Sequence, residues 1–244
     1  MDKPICCICF YGATRTLPQN LESINKVINQ FRELYDVKII VHTWNDNKDF
    51  KLLNPDYYRT TNQEELRNKL PFEKIEKNTK EFITTIFPNN PTKINQVFQD
   101  TKKFLPGVLF GTYSLKQVTT LTLSKFPNAN LYVIMRPDTR FVRFDLKLIL
   151  KPFNYKSSQL QIITPDFDTG KRSSNDRFAI CYGSEAFRLI GTRYDLLEES
   201  SKDRFFFGEN VLQYTIDKYK IKNIRGDMCF LLVRPNGKIA GWCN

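Results

Sequence analysis

The sequence predicts an α/β fold with a mostly parallel central sheet flanked by helices and a small antiparallel extension near its end. Three observations predict it. Leu131 to Met135 is an unbroken apolar run with strand-favouring Val and Ile, as a strand buried on both faces requires. The chain opens as strand, helix, strand, which is the unit that gives parallel pairing. Helical and strand patterns then alternate until two closely spaced strands close the chain.

The elements follow in order. Pro4 to Phe10 reads as the first strand and not as a signal peptide, because its apolar run goes directly into a polar turn. Pro18 opens a helix at the position that tolerates proline, and Leu21, Ile24, Val27, Ile28, Phe31 and Leu34 recur at helical spacing. Val37 to Val41 is a second strand, ending in His42, Thr43 and Trp44. Residues 46–90 are rich in Asn, Lys, Glu and Pro, and read as a less regular insertion with one helix near Glu64 to Lys69. Thr92 to Phe104 is a helix broken by Pro106-Gly107, and Tyr113 to Lys125 is another. Pro137 stops the central strand. Phe144 to Leu150 is a short helix, Leu160 to Thr164 a strand, and Thr169 to Asn175 a flexible turn. Phe178 to Tyr182 is a strand, and Ser184 to Leu197 and Gly208 to Tyr219 are helices. Ile221 to Ile224 and Met228 to Val233 are terminal strands. With no repeat and no linker of distinct composition, residues 1–244 form a single domain.

Composition narrows the function classes. With 41% hydrophobic and 26% charged residues among 244, the chain can bury a core without disulfides or a structural metal. No apolar run approaches the ~20 residues of a membrane span. The six cysteines lack a second pair at zinc spacing, so they read as buried reduced thiols in a cytoplasmic protein. A formal charge of +11 implies an anionic partner. One histidine in the chain excludes HExxH zinc chemistry, and neither GxGxxG nor a P-loop is present.

Several short constellations carry candidate chemistry. Asp138 lies just past the central strand between Arg136 and Arg140, on the sheet edge where open α/β sheets bind ligands. It can hold a cation beside a phosphorylated ligand, or simply cap a turn or pair with Arg140. The loop after strand one, Tyr11-Gly12-Ala13-Thr14-Arg15, offers close backbone approach, a hydroxyl and a guanidinium fork. His42 is a ligand contact or a satisfied structural residue, and Trp44 a base-stacking ring or core. Asp166 and Asp168 form a literal Asp-x-Asp, which is cation-binding or merely solvated. Glu209, after Gly208 at a helix start, is a first-turn charge favoured by the helix dipole or a base.

Taken in order, these motifs resemble glycosyltransferases of the GT-A fold, a Rossmann-like α/β architecture. The likeness is to nucleotide-sugar-dependent transferases of large DNA viruses and bacterial polysaccharide clusters. It rests on YGATR, HTW, Tyr113-Ser114, RPD, NDRF and the Glu-led helix. The resemblance implies a hexosyl- or pentosyltransferase that moves a sugar from a nucleotide-sugar donor, with UDP favoured, to a glycan or glycoprotein acceptor. It implies donor contacts from Tyr11, Gly12, Thr14, Arg15, His42, Trp44, Arg136, Arg140 and Arg177. It puts Mn²⁺ or Mg²⁺ on Asp138, and catalytic roles on Glu209 and Asp176. Arg136 replaces the first acid of the family's Asp-x-Asp, which leaves one protein carboxylate for the cation. No nucleic-acid partner and no transmembrane segment are expected, and the location is cytoplasmic, in the host if the protein is virus-encoded. The alternative is a non-catalytic basic α/β module that binds nucleic acid or an anionic surface through its charge.

Overall fold

The computed structural model describes residues 2–45, 48–167 and 174–240. The chain opens with β1 (Ile5–Tyr11), α1 (Leu17–Leu34) and β2 (Asp36–Trp44). A 3-10 turn (Asp49–Leu53), β3 (Tyr57–Thr61), α2 (Gln63–Arg67) and α3 (Phe72–Ile86) follow. Next come α4 (Pro91–Lys125), β4 (Leu131–Met135), β5 (Thr139–Arg143), α5 (Leu146–Leu150), β6 (Gln161–Pro165) and β7 (Phe178–Tyr182). The last third holds α6 (Ser184–Gly191), a 3-10 turn (Arg193–Leu196), α7 (Leu197–Ser200), α8 (Gly208–Lys218), β8 (Lys222–Gly226), β9 (Cys229–Val233) and β10 (Ile239–Ala240).

Seven strands form the main sheet in the order β3-β2-β1-β4-β7-β6-β8. Only β7 runs against its neighbours, and every other pairing in this sheet is parallel. A second, antiparallel sheet has the order β10-β9-β5. The mostly parallel sheet with a small antiparallel partner is therefore the architecture the sequence predicts.

Strand alternation divides the core. Cys6, Ile8 and Phe10 of β1 face α1 and the small sheet, in a cluster with Ile24, Val27, Ile28 and Phe31. Cys7, Cys9 and Tyr11 face the opposite side, against Leu115 and Val118 of α4 and Phe187 of α6. Each large apolar side chain buried this way contributes about 1.5–3 kcal/mol against chain entropy. Burial pushes the Cys9 thiol up to about 12 and also raises Cys6, so these thiols are inert packing groups. Cys229 is disulfide-bonded, contrary to the all-reduced expectation.

Three expectations need correction, and one strand was not foreseen. Residues 46–90 are more regular than their composition suggests. β3 extends the sheet beside β2, and α3 buries Ile75, Thr79 and Ile83 at i, i+4, i+8. The dense Lys and Glu content belongs to the solvated face of α3. The two helices expected on either side of Pro106-Gly107 are one 35-residue helix, α4. Proline inside a helix costs about 3 kcal/mol. Here the bond that Pro106 cannot make would go to the carbonyl of exposed Lys102. Buried Leu105 and Leu109 meanwhile anchor the helix on both sides against Trp44, Leu66 and Ile75. The helix expected over Ser184 to Leu197 breaks at Thr192 into α6, a 3-10 turn and α7. Finally, Thr139–Arg143 is a strand of the small sheet, so Arg136, Pro137 and Asp138 form a three-residue link between strands. The expected turn at Thr169 to Asn175 and the Asp168 half of the literal Asp-x-Asp lie largely or wholly outside the described residues.

One side chain ties the elements at the sheet's carboxyl edge. Ser114 Oγ of α4 accepts the Gly12 N–H at 2.8 Å and lies 2.7 Å from His42 Nδ1. It donates to the His42 carbonyl at 3.2 Å. His42 Nε2 lies 2.9 Å from Thr61 Oγ1 of β3. With the ring proton on Nδ1, every group has a complementary partner: Nδ1 donates to Ser114 and Nε2 accepts from Thr61. Burial, with Arg59 nearby, lowers the His42 pKa from 6.5 to about 3, so the ring is neutral.

Two predictions follow from this packing. An unfolded His42 takes up a proton near 6.5 while the folded one does not, so its contribution is complete above that pH and is lost as pH falls towards 3. The wild type should lose up to about 1.4 kcal/mol of stability per pH unit over this window from this residue, and His42→Gln should lack that slope. Urea unfolding across a pH series reads the difference. Where α6 meets α4, a Cβ on Gly191 would lie 2.0 Å from Thr119 Oγ1 and 2.6 Å from its Cγ2. Gly191→Ala should therefore cost about 1–3 kcal/mol in urea unfolding, with part recovered by adding Thr119→Ala.

Candidate ligand cleft

The parallel strands β1, β2 and β4 end level with one another. Tyr11 pairs with His42, Phe10 with Met135, and Trp44 with Thr61 of β3. Above these ends opens a cleft of ≈ 500 Å³. Tyr11, Gly12 and the Arg136-Pro137-Asp138 link form its floor. The Pro106–Gly111 stretch of α4, with Gln63 and Arg67 of α2, forms one wall. Val233, Arg234 and Pro235, past the end of β9, form the other, and Arg15 and Thr16 close it at the start of α1.

Arg136 and Asp138 meet as a two-bonded fork. Nε donates to Oδ1 at 2.9 Å and an Nη to Oδ2 at 2.5 Å. Both side chains are largely withdrawn from water, with 31% and 14% of their surface exposed. Burial works against the Arg136 charge, but Asp138, Tyr11 and Asp176 together hold its pKa above the usual value. Arg136 is therefore cationic throughout the accessible pH range.

The first loop supplies the remaining floor. Gly12 adopts φ +92°, which strains any residue with a Cβ, although no atom lies within 4 Å of where that Cβ would be. Conformation and not space thus demands glycine there. Arg15 is exposed on the cleft rim. Thr16, 2% exposed, caps the 18-residue α1 without a side-chain cap bond, and its hydroxyl lacks a hydrogen-bond partner. The cleft thus receives an unneutralised helix N-terminus.

Behind the floor lies a second polar layer. The Tyr11 hydroxyl donates to the Asp176 carbonyl at 2.9 Å, and burial pushes its pKa up to about 12. Arg193, 1% exposed, reaches the same carbonyl at 3.4 Å. Arg177 pairs with Glu209 at 3.1 Å, and its carbonyl accepts the Arg136 N–H at 3.2 Å. A Cβ on Gly208 would lie 2.2 Å from Asp176 Oδ2, so α8 begins hard against that carboxylate.

The cleft therefore gathers Tyr11, Gly12, Arg15, Trp44, Arg136 and Asp138, and leaves out six expected residues. His42 is consumed by its bonds to Ser114 and Thr61. The Thr14 hydroxyl is buried outside the cleft lining. Arg140 does not flank Asp138, because on β5 it turns to the Gln19 carbonyl at 3.1 Å. Asp176, Arg177 and Glu209 form the layer behind Tyr11, where Glu209 meets a guanidinium and not the cleft. Trp44, 4% exposed, presents little more than an edge, because Phe110 packs against it at 5.6 Å. Asp166 is exposed beside Arg225 at the β6–β8 edge and does not line this cleft.

Sequence reasoning missed Arg67, Arg234 and Gln63. Arg234 opens the turn-forming Arg-Pro-Asn-Gly between β9 and β10, a legible signal. Arg67 and Gln63 lay in the stretch read as irregular. Among the described residues, no three His, Cys, Asp or Glu side chains converge as cation ligands. The one carboxylate in the cleft has both oxygens on Arg136. This donor set does not fit the Mn²⁺ or Mg²⁺ expected on Asp138.

No helix among the described residues is long and apolar enough to cross a membrane. Searches with the sequence match no family model and no curated protein. Among solved structures, the fold is similar to a glycosyltransferase involved in glycosylation of the major capsid of PBCV-1. That likeness has TM-score 0.48 and 10% identity, over 92% of this chain and 82% of that one. It is also similar to a putative glucose-1-phosphate thymidylyltransferase from Bacillus anthracis, with TM-score 0.43 and 10% identity over 94% and 89% of the two chains.

Proposed function

We propose that the cleft binds a nucleotide sugar and that the protein transfers the sugar to a glycan or glycoprotein hydroxyl. The observation that carries this reading is the convergence of Arg15, Arg67, Arg136 and Arg234 on one cleft at the carboxyl edge of a parallel sheet. Guanidinium forks match phosphate oxygens, and the bare α1 N-terminus adds further donors. The volume suits a ligand of nucleotide size. Gln63, Phe110 and the edge of Trp44 supply the hydrogen-bonding and flat apolar surface that a base takes up.

In the reaction, the bond between the anomeric carbon and the phosphate oxygen breaks, and the nucleoside diphosphate leaves with the electron pair. The acceptor oxygen bonds the same carbon, and its proton passes to an oxygen of the departing diphosphate. The arginines stabilise the charge that grows on the leaving diphosphate. Glu209, the base expected from the sequence, and Asp176, expected to face the sugars, stand behind the floor. In this reading they order Tyr11 and Arg177 and do not receive the proton themselves.

A panel of UDP, GDP and dTDP sugars tests the reading by thermal shift and product analysis. A fitting donor at ~100 times its Kd should add about 2.7 kcal/mol, or a Tm rise of about 5–10 °C for a chain of this size. Release of the matching nucleoside diphosphate should accompany it, and Arg136→Gln should sharply reduce both. Salt-sensitive DNA binding with no response to any nucleotide sugar would instead assign the +11 charge to nucleic acid.

A further inference from the structure

We infer that the cleft holds the diphosphate of its ligand through the chain's own donors, its guanidinium groups foremost, without a divalent cation, and that Asp138 serves to aim Arg136. This inference rests on the nucleotide-sugar reading and deepens it. For Asp138 to bind a cation, it would have to release one or both bonds from Arg136. That would leave a partly buried guanidinium beside a doubly charged ion, with one carboxylate between them. Like charges at such a separation, away from bulk water, repel strongly.

The charge balance points the same way. Four arginines and one aspartate line the cleft, leaving three net positive charges where a diphosphate would lie. Among the described residues no ion pair engages Arg15, Arg67 or Arg234, and all three side chains are exposed on the rim. They are available to fork onto phosphate oxygens. Arg136 is already oriented, so it supplies its donors without reorganisation. The chemistry of a bridging cation is thereby available from the chain's own side chains.

Calorimetric titration of the full chain with UDP, GDP and dTDP, in EDTA and again in MnCl2, tests this. The diphosphate that binds should do so with dissociation constants within about threefold of each other in the two buffers. Arg136→Gln should weaken binding about tenfold or more in both, and Arg15→Gln, an exposed site that leaves the fold intact, should weaken it in both as well. Binding that appears in MnCl2 and vanishes in EDTA overturns the cation-free cradle and leaves the nucleotide reading standing. Binding in neither buffer overturns both.

Discussion

The cleft depends on the fork between Arg136 and Asp138, and the fork depends on a backbone held from three directions. Each carbonyl of the link is taken. Arg136 O accepts the Thr139 hydroxyl at 2.7 Å, Pro137 O accepts Asn20 Nδ2 at 3.2 Å, and Asp138 O accepts the Val233 N–H at 2.9 Å. The link thus touches β5, α1 and β9. With those three carbonyls fixed, residues 136 and 138 project together and their charged ends meet. A side-chain pair that would be worth little on an open surface becomes a rigid part of the floor.

Cations are graded from rim to interior around that floor. Arg15, Arg67 and Arg234 stand exposed, where they can meet an incoming anion. Arg136 lies half-withdrawn with its carboxylate, and Arg177 and Arg193 lie deeper, tied to Glu209 and to the Asp176 carbonyl. In the proposed reading, outer groups would attract the anion, while inner groups would set its direction in a medium that screens them less. Acidic groups in the inner layer compensate the cations beside them, so Glu209 and Asp176 are explained by the arginines they accompany.

The candidate cleft sits next to the most thoroughly satisfied core. Ser114 joins the Gly12 loop to β2, and His42 carries the connection on to β3 through Thr61. The positive-φ backbone at Gly12, held by Ser114, and the kink-prone Pro106-Gly107 segment, flanked by buried Leu105 and Leu109, both border the cleft. Irregular backbone is tolerated where a rigid frame over-determines it.

Much of the fold was legible in the residues. Apolar runs marked β1, β2, β4, β6 and β7, because a strand covered on both faces leaves no room for polar side chains. Helical spacing marked α1 and α8, and Pro137 marked the end of β4. The loop at Gly12 and the link at Arg136 and Asp138 could be singled out because both follow such strands. The sequence could not show which charges meet, since a carboxylate two residues from each of two arginines has no preference in an unfolded chain. Packing decided it: β5 turned Arg140 towards α1 and left Arg136 facing Asp138. Packing also carried α4 through a proline that local propensity would use as a stop, and recruited Arg67 and Arg234 from distant segments to the same cleft. Local sequence determined the elements and their ends, because periodicity and backbone chemistry act within a few residues. The pairing of ionic groups was left to tertiary structure, because it depends on distances that exist only once the sheets and helices are in place.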